Sequence, residues 1–311
     1  MQFKGSMVAL VTPFRHGRVD EPALTKLIHW HASQGTAALV PCGTTGESAT
    51  LSTEEHERVI DLTVQAARGR LPVIAGTGSN NTAEAIELTT YARRAGADAA
   101  LVIAPYYNRP TQEGLFRHFR AIAEAVDLPL IPYNIASRTG VNIEPETFAR
   151  LVAACKNIVA VKEASGSLDQ MSRIRQLCGN RLALISGDDA LTLPVLSIGG
   201  TGVISVVANL VPRDVTDLVA AFERRDLTTA RTLHDQLLPL IKACFIETNP
   251  IPVKTAMGLL RVIDPELRLP LCPMSDAHLE SLRQALVTYG LLRASGRPAT
   301  TPRRTKAAAS P

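Results

Sequence analysis

The stretch AALVIAPYYNRPTQEGLFRHFRAIAEAVDLPLIPYN, from Ala99 to Asn134, carries a complete structural unit in its pattern. A continuous apolar run opens it, residues at helical spacing follow from Thr111 to Val126, and a second apolar run begins at Pro129. An apolar run without alternation reads as a strand buried on both faces, and a strand, helix, strand order calls for a parallel sheet covered by helices. The same grammar extends in both directions. Further short apolar runs begin near Met7 (MVALVT), Ala37 (AALVP), Pro72 (PVIAG), Ile158 (IVAVKE), Leu182 (LALISG) and Gly202 (GVISV), which makes eight candidate strands. Helical spacing recurs at Pro22 to Ser33, Thr53 to Ala67, Thr82 to Ala95, Glu144 to Ala154 and Ser167 to Leu177. Ser52 or Thr53 before Glu55, and Thr82 before Glu84, supply hydroxyl N-caps and first-turn acids. Gly35, Gly69, Gly96 and Gly179 follow helix ends as left-handed caps.

Eight units of about 20 to 35 residues are the arithmetic of a (β/α)8 TIM barrel. An open doubly wound sheet is the alternative, but the first strand-to-helix turn lacks its glycine-rich phosphate fingerprint. Past Pro212 the pattern is helical only, which adds a C-terminal helical bundle. The expected organisation is a barrel over residues 1–225, a helical region over 226–293 and a disordered basic tail over 294–311. That tail holds Arg297, Arg303, Arg304 and Lys306 and no acid, so it accounts for the whole net charge of +4. A neutral body without an aromatic-studded basic stripe offers no footprint for nucleic acid. The five scattered cysteines form no C-x-x-C pair and read as reduced thiols of a cytoplasmic protein. No signal peptide and no bilayer-length apolar run is evident.

In a barrel the chemistry collects where the strands end. The strand ends here carry Gly43-Thr44-Thr45-Gly46-Glu47, Gly76-Thr77-Gly78, Tyr106-Tyr107-Asn108, Tyr133-Asn134 with Arg138, Lys162-Glu163 and Gly187-Asp188-Asp189. Lys162 shares pleat parity with Ile158 and Ala160, and if those face the barrel its ammonium points into the mouth. Burial lowers a lysine pKa and frees the amine to attack a carbonyl, which is Schiff-base chemistry. The bland reading is a lysine snorkelling past the strand end or paired with Glu163. Lys4, Lys26, Lys156, Lys242, Lys254 and Lys306 end no apolar strand, so Lys162 stands alone in this respect. The seven histidines show no ligand spacing, which argues against a metal. Tyr133 and the pair Tyr106-Tyr107 read either as barrel-rim packing or, with a hydroxyl such as that of Thr44, as groups that pass protons to and from an imine. The glycine-flanked Thr44-Thr45 turn suits a carboxylate, and Arg138 is a second carboxylate clamp or a solvated loop arginine.

Taken together, GTTGESATL (from Gly43), VIAGTGSN (from Val73), PYYNRPTQEGL (from Pro105), PYNIASRTG (from Pro132), VKEASG (from Val161), SGDDA (from Ser186), GVISV (from Gly202) and NPIPVK (from Asn249) resemble the dihydrodipicolinate synthase family. The likeness runs from about Gly5 to Leu292. It implies a class I aldolase-like lyase that condenses pyruvate with L-aspartate 4-semialdehyde on the way to diaminopimelate and lysine, with no cofactor and no metal. Carried over, Lys162 forms the imine, Thr44, Tyr133 and Tyr107 relay protons, and Tyr107 comes from a neighbouring subunit. Thr45 takes the pyruvate carboxylate and Arg138 that of the aldehyde, with Gly187 and Ile204 lining the site through backbone groups. The resemblance also implies a homotetramer, a dimer of dimers. In lysine-inhibited members an allosteric site lies between subunits, and its matching positions are Ser48, Ala49, His56, Asn80, Glu84 and Tyr106, all suited to an L-lysine inhibitor. Two departures stand out: Ala136 where the family often has proline, and Thr53 where some sensitive members have histidine. A pyruvate-releasing aldolase such as N-acetylneuraminate lyase shares the lysine, turn and tyrosine, but Arg138 and the string from Lys162 to Ser165 argue against it. A keto-acid-binding barrel without activity would have a damaged site, whereas Lys162, Tyr133, Thr44 and Arg138 are all present.

Overall fold

The computed structural model describes residues 3–299. All eight expected strands form: β1 (Gly5–Ala9), β2 (Ala38–Val40), β3 (Ile74–Gly76), β4 (Ala99–Ile103), β5 (Leu130–Asn134), β6 (Ala160–Glu163), β7 (Ala183–Ser186) and β8 (Gly202–Ser205). They run parallel in the order β2-β1-β8-β7-β6-β5-β4-β3, and a parallel bridge between Leu39 and Val73 joins the two ends into a barrel. The open-sheet alternative is thereby removed.

Barrel helices follow the strands: α1 (Glu21–Gln34), α2 (Thr53–Ala67), α3 (Thr82–Ala95), α4 (Gln112–Ala125), α5 (Pro145–Ala154), α6 (Leu168–Cys178), α7 (Thr192–Ser197) and α8 (Pro212–Glu223). Three more, α9 (Leu227–Cys244), α10 (Ile251–Leu259) and α11 (Asp276–Tyr289), form the C-terminal region. Ser52 and Glu55 close a full capping box on α2. On α3 the cap is Asn81 rather than Thr82, whose hydroxyl instead meets His118 Nδ1 at 2.9 Å. Gly35 and Gly96 are left-handed caps, Gly69 follows the Arg68 cap of α2 at a positive φ of 71°, and the ψ of −139° takes Gly179 out of that region. Of the tail expected from residue 294, the part up to Ala299 turns back, with the Ala299 N–H donating to the Leu291 carbonyl at 3.0 Å. Arg303, Arg304 and Lys306 lie outside the described residues.

The core has two kinds of layer. Met7, Ala9, Val40, Ile74, Leu101, Ile131, Ala160, Ile185 and Ile204 fill the barrel interior. Residues of opposite parity, such as Val8, Leu39, Val102, Leu130 and Val161, pack outward against the helices. Layered filling of this kind makes the barrel a solid core rather than a pore, so a ligand finds no room along its axis. The expected alternation begins two residues later than Ile158: Ile158 belongs to the outer layer and Val159 packs inward, and regular parity begins at Ala160. Among the described residues, no helix is long and apolar enough to cross a membrane.

Candidate active site

Lys162 is the last residue but one of β6, on the parity of Ala160, and register pairs it with Tyr133 on β5. The residue is 6% exposed, and its Nζ lies 4.1 Å from the centroid of the Tyr133 ring. Burial lowers the amine from its ordinary 10.5 to about 7, an effect opposed by the Asp189 carboxylate and reinforced by the Arg138 guanidinium. A substantial share of the amine is therefore neutral near pH 7, where an exposed lysine is almost wholly protonated. Pairing with Glu163 is not what holds it. Glu163 points outward, where it accepts from Asn134 Nδ2 at 3.2 and 3.0 Å, from the Ser165 N–H at 2.7 Å and from Gln170 Nε2 at 3.1 Å. The Asn134–Glu163 bonds cross from β5 to β6 one residue beyond the Tyr133–Lys162 pair and so tie its register.

The Tyr133 phenol hydrogen-bonds with Thr44, and burial pushes it up to about 12, with Arg138 and Thr44 pulling the other way. It therefore keeps its proton at neutral pH and can give it up to a stronger base. Gly187 follows β7 beside the lysine stem. A Cβ there would come within 3.1 Å of Lys162 Cγ and 2.7 Å of Ala164 Cβ, so only glycine leaves the stem its path. Asp189, which sequence reading placed at a strand end without a role, is buried. It accepts from the Val206 N–H at 2.8 Å, and burial raises its carboxyl to about 6.

The turn from Gly43 to Ser48 has an internal hydrogen-bond frame. Gly46 and Ser48 donate to the Gly43 carbonyl, Glu47 donates to that of Thr44, and none of these bonds uses the N–H of Thr44 or Thr45. Thr45 is buried, and its Oγ1 accepts from Asn249 Nδ2 at 2.9 Å. Arg138, on the helical turn Ala136–Thr139, is exposed and donates to the Asn249 carbonyl at 3.2 Å. Asn249 belongs to a string noticed in the sequence, but nothing local announces contacts with two strand-end loops.

Lys162 is the one lysine among the described residues that lies in a barrel strand, but a second lysine is also buried, on a helix. Lys254, on α10, is fully buried and ion-paired with Glu47 at 2.5 Å. Glu47 directly precedes the short 3-10 turn Ser48–Thr50 as its N-cap. It sits in the left-handed region at φ 53° with its carboxylate turned inward. Spacing held the missed signal: Ile251, Lys254 and Met257 share the buried face of an otherwise apolar helix.

A cavity of about 460 Å³ opens over this array, walled by Thr44, Tyr133, Arg138 and Asn249 and, further out, by Ser48, Ala49, His56, Glu84 and Tyr106. Lys162, Thr45, Gly187, Ile204 and Asn80 are not on its wall; Lys162 meets it through the Tyr133 ring. Ile204 is in the barrel interior beside Met7. Asn80 donates to the Tyr106 carbonyl at 3.2 Å and accepts from Asn108 Nδ2 on its own carbonyl at 2.9 Å. His56 is buried, and burial lowers its pKa against the pull of a Gly76 backbone bond and of Glu84, whose carboxylate accepts from Ser79 at 2.6 Å. Tyr107 is not brought to the array. It is 90% exposed at φ 69°. A separate cavity of about 540 Å³, walled by Lys4, Thr201 and Arg225, lies at the opposite barrel end and contains none of these groups.

Residues 2–288 match the model of the dihydrodipicolinate synthetase family. The 4-hydroxy-tetrahydrodipicolinate synthase of Syntrophus aciditrophicus (strain SB) is 57% identical over 290 residues, which is 93% of this chain and 99% of that protein. Dihydrodipicolinate synthase from Aquifex aeolicus has a similar solved structure, with a TM-score of 0.92 at 49% identity, covering 96% of this chain and 100% of that one. The structure of DHDPS from Cyanidioschyzon merolae with lysine bound is similar at a TM-score of 0.89 and 43% identity, covering 93% and 99%.

Proposed function

Because this chain belongs to the dihydrodipicolinate synthetase family, we propose that it condenses pyruvate with L-aspartate 4-semialdehyde to 4-hydroxy-tetrahydrodipicolinate through a Schiff base on Lys162. The observation that carries this reading is the buried amine, poised near pH 7, against a phenol that keeps its proton. The neutral Nζ attacks the keto carbon of pyruvate, and Tyr133 protonates the departing hydroxyl so that water leaves and an imine forms. Loss of a methyl proton gives an enamine. Its carbon adds to the aldehyde of the second substrate, whose amino group then displaces Lys162 by transimination and closes the ring. Thr45 holds the carboxylate of pyruvate and Arg138 that of the aldehyde, which brings the two reacting carbons together. Gly187 and Ile204 complete the lining through backbone groups. Tyr107, a phenol exposed at a loop tip, serves the Tyr133–Thr44 pair of a neighbouring subunit in a homotetramer. The four buried thiols fit a reducing cytoplasm.

Incubation with pyruvate and borohydride, followed by peptide mass mapping, is expected to trap pyruvate on Lys162 alone. The initial trapping rate should fall about tenfold per pH unit below 7, as the amine takes up its proton. Trapping on any other lysine would refute the assignment.

Ser48, Ala49, His56, Asn80, Glu84 and Tyr106 form an L-lysine site, with Glu84 for an ammonium group and His56 for the side-chain end. Five of the six share one wall of the cavity, and a lysine-bound structure is among the similar proteins. Saturating L-lysine should lower the condensation rate, and Glu84→Gln should raise the concentration needed about tenfold or more by removing one charge-assisted bond. A rate indifferent to L-lysine would refute the site.

A further inference from the structure

The C-terminal region contributes a residue to the substrate site that the family reading leaves without a role. Asn249 lies between α9 and α10, is 5% exposed, and sends its side-chain amide across 204 residues of sequence to Thr45 Oγ1 at 2.9 Å. A threonine hydroxyl has one proton and two acceptor lone pairs. An amide N–H directed at the oxygen occupies a lone pair, and the hydroxyl proton cannot point back at a donor. That proton must therefore turn elsewhere. Among the described residues no other protein group bonds to the Thr45 hydroxyl, so its donor remains free for a ligand. A carboxylate only accepts, and an oriented donor is what it needs.

We propose that Asn249 is a positioning residue that holds the Thr45 hydroxyl as a donor to the pyruvate carboxylate, a role that rests on the carboxylate assignment for Thr45. Its backbone adds a second, separable function. Arg138 donates to the Asn249 carbonyl at 3.2 Å, so the clamp for the aldehyde carboxylate leans on the main chain of the same residue, whatever its side chain.

That separation defines the experiment. In the full-length enzyme, Asn249→Asp is nearly isosteric but replaces the donor by an acceptor, which draws the Thr45 proton away from pyruvate. Asn249→Ala only removes the donor. The half-saturating pyruvate concentration for borohydride trapping should rise about tenfold or more in Asn249→Asp and less in Asn249→Ala. The KM for the aldehyde should stay within about twofold of the parent in both, because the acceptor for Arg138 is a backbone group. Asn249→Ala combined with Thr45→Val should be no worse for pyruvate than Thr45→Val alone, since a residue acting through Thr45 has nothing left to act on. Parent-like pyruvate dependence in Asn249→Asp, additive losses in the double variant, or an equal rise in aldehyde KM would each overturn the inference while leaving the Schiff-base reading intact. Failure to trap the parent enzyme at all would overturn both.

Discussion

Lys162→Met is expected to abolish turnover, by about 10⁴-fold or more, and at the same time to make the protein more stable. The loss follows from chemistry: no thioether can form an imine, and the described site offers no second amine beside Tyr133. The gain follows from burial. In the unfolded chain this amine holds its proton up to about pH 10.5, whereas in the barrel it releases it near 7. Between those values the unfolded state binds more protons, so the stability of the parent rises with pH from about 7 to 10.5 and is lowest below 7. The contact of the ammonium with the Tyr133 ring returns a part of that deficit. Methionine removes the titration altogether, so the advantage of the variant should be largest at pH 6, on the order of a few kcal/mol, and gone by about pH 11. Denaturant midpoints at three pH values, read beside the condensation rate, test both halves. Turnover within tenfold of the parent would end the Schiff-base reading. A variant no more stable at pH 6 would mean that the amine is not held against desolvation.

This opposition between activity and stability at one residue was half legible in the sequence. A lysine terminating an apolar strand is a local anomaly, and pleat parity gave its direction from Ala160 onward. Strands, helices and most caps were legible for the same reason, since each depends on neighbours within about one turn or one pleat. What escaped depends on contacts that span the chain. Asn249 with Thr45, Lys254 with Glu47 and Arg268 with Glu55 join residues more than 200 positions apart, and no periodicity records which loop a helix will meet. Ile158 shows the same limit on a small scale. Its parity was lost because the strand becomes regular only at Ala160, where pairing with β7 begins.

The strongest structural consequence of those long contacts concerns Lys254. Its ammonium is fully buried, donates to the Thr12 carbonyl at 3.0 Å and to Glu47 Oε1 at 2.5 Å, and stands 4.3 Å from the centroid of the Phe14 ring. Lys254→Met fills the volume but leaves the Glu47 carboxylate buried with one remaining donor, the Arg268 N–H at 3.2 Å. Removing one partner of a buried pair costs about 3–5 kcal/mol, which for a domain of this size lowers the melting temperature by roughly 5–15 °C. Function should suffer as well. Glu47 holds a left-handed backbone at φ 53°, a conformation that persists only while the surroundings enforce it, and its N–H closes the turn on Thr44. Once Glu47 relaxes, Thr44 and Thr45 shift, and the half-saturating pyruvate concentration should rise with the fall in stability. Adding Glu47→Gln removes the orphaned charge, so the double variant should melt above Lys254→Met even though it carries one more substitution. A double variant that melts lower than either single one would show that the pair contributes its attraction directly rather than through the penalty of a stranded charge.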